Sequence, residues 1–201
     1  MSMNEREKVD NTRRMIVIAT SVAGGAAAVG AAVPFVLSMN PSERAKAAGA
    51  PVEADISTLQ PGELRVFEWR GKPVWVFRRS NEMIDSLKAA VPYLTDPGSK
   101  HSEQPKYAKN EFRSEKPEIM VVEGVCTHLG CSPQMKSVEA KGEMGADWVG
   151  GFYCPCHGSK FDLAGRVFRG APAPTNLKVP PYTFVSDGAL LIGEDKETKG
   201  A

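Results

Sequence analysis

Two short segments gather nearly all the residues in this chain that bind soft or borderline metals. The first is Cys126-Thr127-His128-Leu129-Gly130-Cys131. The second, twenty-two residues on, is Cys154-Pro155-Cys156-His157-Gly158-Ser159. Together they hold all four cysteines and two of the three histidines. Core packing scatters buried cysteines along a chain, so this clustering points to chemistry rather than to filling. Six ligand-type side chains exceed what a four-ligand site needs. Zinc would take a tetrahedral Cys/His set; an iron–sulfur cluster would take two cysteines on one iron and two histidines on the other. Either can leave two cysteines over, and in an exported domain such a leftover pair is expected to oxidise to a disulfide that cross-links the two ligand loops. The third histidine, His101, lies in a polar loop with nothing at ligand spacing and reads as a surface residue.

The elements that position these boxes read as mostly β. The 201 residues include 19 Gly and 15 Pro, about 17% of the chain against roughly 12% on average, which favours a turn-rich fold over a helical bundle. A net charge of +1 argues against a broad nucleic-acid surface, and four cysteines are too few for a disulfide scaffold. Glu63–Trp69 and Val74–Arg78 around Arg70-Gly71-Lys72-Pro73 form a hairpin pattern, and Tyr182–Ser186 and Ala189–Gly193 around Asp187-Gly188 form another. Ile119–Glu123 is a further strand. Between Ser80 and Pro117 lies an insertion opening on a short helix, with Asn81 as its cap and Ile84, Leu87, Ala90 and Val91 as its apolar face.

The N-terminal part is of another kind. Residues 1–14 are polar and charged, and residues 15–39 hold no ionisable side chain. As a helix those 25 residues would span about 37 Å, more than the roughly 30 Å of a bilayer core. Four basic residues precede the run (Arg6, Lys8, Arg13, Arg14) and two follow it (Arg44, Lys46), which keeps the N-terminus cytoplasmic and exports the rest. Arg13-Arg14 resembles a twin-arginine export signal. Cleavage at Ala45-Lys46-Ala47 competes with a retained anchor, and the length of the apolar run favours retention. Residues 40–54 lack large apolar side chains and read as a tether with an r.m.s. reach of about 20 Å. The head then occupies 55–201.

The two boxes closely resemble those of Rieske [2Fe–2S] proteins, most nearly the iron–sulfur subunit of quinol–cytochrome c reductase (the cytochrome bc1 complex) of the bacterial type. Gly170-Ala171-Pro172-Ala173-Pro174 is similar to the proline-rich loop beside the cluster in that family. The resemblance implies an all-β head of antiparallel sheets, a cluster-binding subdomain inserted at about 124–175, and one N-terminal transmembrane helix. It makes Cys126 and Cys154 ligands of one iron, His128 and His157 ligands of the other, and Cys131 and Cys156 a disulfide. Ser159 becomes a hydrogen-bond donor to the cluster. Leu129 and Gly130 become an exposed tip that docks on the quinol site of cytochrome b, and His157 the acceptor of the quinol proton. The electron then passes to a membrane-bound c-type cytochrome within a dimeric complex in the bacterial inner membrane, the head lying on the periplasmic side.

The ligand choice has a charge argument behind it. Two ferric ions, two sulfides and two thiolates sum to zero, whereas four thiolates leave −2, so the mixed centre accepts an electron far more readily. Centres of this class are known to lie at roughly −150 to +300 mV, against about −400 mV for all-cysteine plant-type clusters. Imidazole also carries a proton that thiolate does not, which allows electron and proton uptake to be linked at one residue. Many respiratory relatives have Tyr two residues beyond the serine; this chain has Phe161, which predicts a lower potential. Two other readings stand beside this one: the Rieske small subunit of a periplasmic oxidase of the arsenite oxidase type, and a zinc-stabilised binding module.

Overall fold

The computed structural model describes residues 11–195 and divides at Ala47–Ala48 into two compact units. The first is dominated by helix α1, Asn11–Leu37, in which nothing is buried. It is long and apolar enough to cross a membrane. It starts four residues before the expected run, because Asn11 to Arg14 supply its first turn, and it ends soon after Pro34. The charged residues 1–10 lie outside the described part. A short helix α2, Glu43–Ala48, follows; the Ser42 hydroxyl caps it by accepting from the Ala45 N–H at 3.2 Å.

Among the described residues the second unit holds three antiparallel sheets of three strands. In the first, β1 (Val52–Asp55) lies beside β9 (Ala189–Ile192), which pairs with β8 (Tyr182–Ser186). Val52 faces Ile192 and Asp55 faces Ala189. This strand falls partly inside the stretch 40–54 that reads as tether from sequence. Only Ala54 of its four residues is fully buried, so it carries almost no hydrophobic signal and is stabilised by the edge that β9 offers.

The second sheet is β2 (Leu64–Trp69), β3 (Lys72–Arg78) and β4 (Ile119–Glu123). Its central strand is buried from Val74 to Phe77 without alternation, because both of its faces are covered. The third sheet, β5 (Gln134–Lys136), β6 (Gly151–Cys154) and β7 (Ser159–Phe161), carries the second cysteine box on its β6–β7 turn. Phe152 joins the two sheets, its ring 5.0 Å from that of Trp75 and 6.2 Å edge-on from that of Phe77.

Gly124, between β4 and the first box, sits against the face of Trp75 with no room for a side chain. A Gly124→Ala exchange is therefore expected to overpack this contact and destabilise the head by about 1–3 kcal/mol. Denaturant unfolding measures it, and a midpoint equal to that of the unaltered protein would refute the packing argument.

The insertion contributes α3, Asn81–Ala90. Its cap is Ser80 rather than Asn81: Ser80 is extended (φ −78°, ψ 170°) and its hydroxyl accepts from the Met83 N–H, one residue earlier than the sequence pattern suggests. Leu87 and Ala90 are buried while Val91 is exposed, so the apolar face is narrower than expected.

Three buried arginines join the insertion and the neighbouring strands to the loop after β7. Arg79 donates to the carbonyls of Phe112 and Leu163 and to Ser114 Oγ. Arg113 donates to the carbonyls of Ala164 and Gly165 and to Gln104 Oε1. Arg166 pairs with Asp162 at 2.7 Å and reaches the carbonyl of Leu87 at 2.8 Å.

Candidate metal centre

Each box is a tight turn closed on its own backbone. In the first, the Cys126 N–H donates to the Cys131 carbonyl at 2.7 Å and the Gly130 N–H to the Cys126 carbonyl at 3.0 Å. In the second, the Gly158 N–H donates to the Cys154 carbonyl at 2.9 Å, and Cys154 is paired across the strands with Ser159. Gly130 (φ 85°) and Gly158 (φ 78°) stand in the left-handed region at equivalent places, where a side chain would be strained. A disulfide between Cys131 and Cys156, with their Cα atoms 6.7 Å apart, ties one turn to the other.

The remaining cysteines, Cys126 and Cys154, are free and each only 2% exposed. Burial is the main reason the Cys126 thiol is pushed above its ordinary value, and the adjacent Cys154 thiol adds to it. The His128 backbone N–H and the Ser159 hydroxyl pull the other way. In this setting the Cys126 thiol resists ionisation until a cation arrives to balance it. The imidazoles of His128 and His157 lie with ring centroids 4.7 Å apart and nearly perpendicular. His128 Nδ1 is buried without a hydrogen-bond partner, a vacant donor or acceptor that a metal would satisfy.

The sulfurs of Cys131, Cys154 and Cys156 also lie within 4.8 Å of one another, but two of these are bonded to each other and cannot ligate. What remains available is two thiols and two imidazoles. This set fits a mixed His₂Cys₂ iron–sulfur centre.

The surroundings sort the other expected residues. Ser159 is fully buried, and its Oγ accepts from the Ala173 N–H at 3.0 Å, which leaves the hydroxyl hydrogen free to donate toward Cys126. Thr127 Oγ1 donates to the Thr175 carbonyl at 2.7 Å, so the segment 170–175 is held by both boxes. Leu129 is 72% exposed, and Gly130 and His157 are exposed as well. His101 is exposed. Phe161 is fully buried on β7 opposite Phe152. Sequence reasoning missed the anchoring N–H of Ala173 and the arginines behind the β6–β7 hairpin. Backbone donors leave no mark on residue types, and isolated arginines read as surface charge.

A fold of three small antiparallel sheets with a His₂Cys₂ donor set on two disulfide-linked turns defines a Rieske-type iron–sulfur protein. A family model described as "Rieske [2Fe-2S] domain" matches residues 108–181, and one described as "Ubiquitinol-cytochrome C reductase Fe-S subunit TAT signal" matches residues 3–42. The chain is 58% identical over 184 residues to the ubiquinol-cytochrome c reductase iron-sulfur subunit of Allochromatium vinosum, covering 92% of this chain and 89% of that one. It is 44% identical over 194 residues to the subunit of the same name from Blastochloris viridis, covering 95% and 98%. A chain of a structure titled "Hyperthermophilic respiratory Complex III" aligns at 30% identity and a TM-score of 0.45 over 87% of this chain and 98% of that one. The chain belongs to the bacterial ubiquinol–cytochrome c reductase iron–sulfur subunits. It is a membrane-anchored component of an oxidoreductase complex and binds one [2Fe–2S] cluster. Membership decides against the zinc module and the periplasmic oxidase subunit.

Proposed function

We propose that Cys126 and Cys154 hold one iron and His128 and His157 the other, and that the chain takes an electron and a proton from quinol and delivers the electron to a membrane-bound c-type cytochrome. When bound, the cluster supplies a one-electron acceptor. The residues around it do the rest. Leu129 offers an apolar contact for the quinol site of cytochrome b, and Gly130 lets the backbone approach closely. His157, exposed where His128 is only partly so, is the imidazole that a quinol hydroxyl can reach, and it accepts the proton at its ring nitrogen. The Ser159 hydroxyl, held by the Ala173 N–H, donates toward the site and favours its more negative, reduced state. Residues between α1 and β1 act as the tether of a periplasmic head that visits its two partners in turn, and two copies work in a dimeric complex.

The observation that carries this reading is the division of the donors: two buried thiols on one side, two adjacent imidazoles beside an exposed apolar tip on the other. Electron paramagnetic resonance of reduced membranes tests it. A rhombic mixed-ligand signal that changes with quinol-site inhibitors is expected. A signal indifferent to every such inhibitor would sink the quinol step.

Phe161 supplies a second test. By the family resemblance many respiratory members carry at this position a Tyr whose hydroxyl donates to a cysteine ligand; the buried Phe161 can make no such bond. A donor that favours the reduced state by about 1 kcal/mol raises a one-electron potential by about 40 mV. Phe161→Tyr is expected to move the midpoint up by that order in a redox titration; a constant or lower value contradicts the argument.

A further inference from the structure

Behind the β6–β7 hairpin lies a buried charge that the mechanism above does not use. Arg79, Arg113 and Arg166 are 2%, 0% and 1% exposed, and the carboxylate that hydrogen-bonds any of them is Asp162, itself fully buried. Asp96 and Glu118 act on the group only through space; the Asp96 carboxylate is taken up by the N–H groups of Lys100 and His101 and by the Ser102 hydroxyl. Direct contacts therefore set three cations against one anion. The guanidinium hydrogens go mostly to neutral carbonyls, those of Leu163, Ala164 and Gly165 among them, and the Arg79 Nε hydrogen has no acceptor at all. Carbonyl dipoles satisfy hydrogen bonds but do not cancel charge. Desolvation lowers both Arg79 and Arg113 to about 10, so both stay ionised at neutral pH.

This charge is close to the site. Asp162 follows β7 directly and is three residues beyond Ser159, about 10 Å along an extended strand. Buried charges at that range are little screened by salt, and positive charge stabilises a centre that gains an electron.

We infer that the Arg79–Arg113–Arg166 cluster around Asp162 is a built-in electrostatic element that holds the equilibrium of the neighbouring centre toward its reduced form. The inference rests on the ligand assignment proposed above. One elementary charge acting over about 10–15 Å at an effective dielectric constant of about 20 changes such an equilibrium about tenfold. For one electron, tenfold corresponds to 59 mV.

Redox titration of membranes containing the complex, followed by paramagnetic resonance, tests this with substitutions of opposite sign. Arg79→Gln removes a cation and is expected to lower the midpoint by about that amount. Arg79→Lys keeps the charge and is expected to leave it near the unaltered value. Asp162→Asn removes the anion while preserving an acceptor for the N–H groups of Ala164 and Arg166, and is expected to raise it. Loosened packing would move both neutralised variants the same way or broaden the signal without an ordered shift, and either result overturns the inference. If Arg79→Gln does not accumulate, Asp162→Asn decides alone: an upward shift that persists at high salt supports the proposal, and no shift or a downward one refutes it. Absence of the resonance from the unaltered protein would instead overturn the ligand assignment.

Discussion

Replacing Cys154 by Ser is expected to leave the purified chain without bound iron or acid-labile sulfide. The side chain is 2% exposed, free of the disulfide, and at the strand end that opens the second turn. Serine nearly matches the cysteine in volume, so the fold has little reason to change, but it exchanges a soft thiolate for a hydroxyl that does not ionise near neutral pH. One iron would lose half of its protein ligands. Because a preformed site and its metal stabilise each other, the variant should also melt at lower temperature than the loaded protein. The same result is expected for Cys126→Ser. His101→Ala, in an exposed loop, should retain full iron and sulfide and serves as the control. Chemical assay of iron and sulfide reads the outcome, and undiminished sulfide in Cys154→Ser would remove that residue from the ligand set.

The second large effect concerns the bond between the two turns. Replacing both Cys131 and Cys156 by Ser opens a link between residues 25 apart in sequence. The chain-entropy relation puts the loss for a loop of this size at about 3.5 kcal/mol. In a head of this size that is a fall of roughly 10 °C in apparent melting temperature. The damage should be local at first: the backbone bonds that close each turn do not involve sulfur, whereas the disulfide is the covalent link between the two turns. Calorimetry of the double variant beside the unaltered protein measures it. Equal melting temperatures would mean that the turns are held together by other contacts.

What could be read without coordinates follows from which features need particular residue types. The two boxes were legible because soft-metal ligands at short spacing have few other uses. The hairpin of β8 and β9 was legible through Asp187-Gly188, and β4 through its unbroken apolar run. The third sheet was not, because β5 and β7 have three residues each, too few for an alternating pattern to stand out. Residues 52–54 read as linker because the pairing of β1 is a property of β9, not of its own residues. The arginines illustrate the same limit. Arg79, Arg113 and Arg166 are distant in sequence, and only the folded chain turns them into one group.

The pairing of β1 with β9 has a consequence for the order of events in the cell. The first strand of the head finds its neighbour in the last described strand, so this sheet cannot close until synthesis has reached residue 192. A polypeptide threaded across the membrane while still emerging from the ribosome would part these two segments. The twin-arginine signal matched over residues 3–42 belongs to a route that accepts finished cargo, which allows the head to be completed and loaded with its cluster on the side where the chain is made.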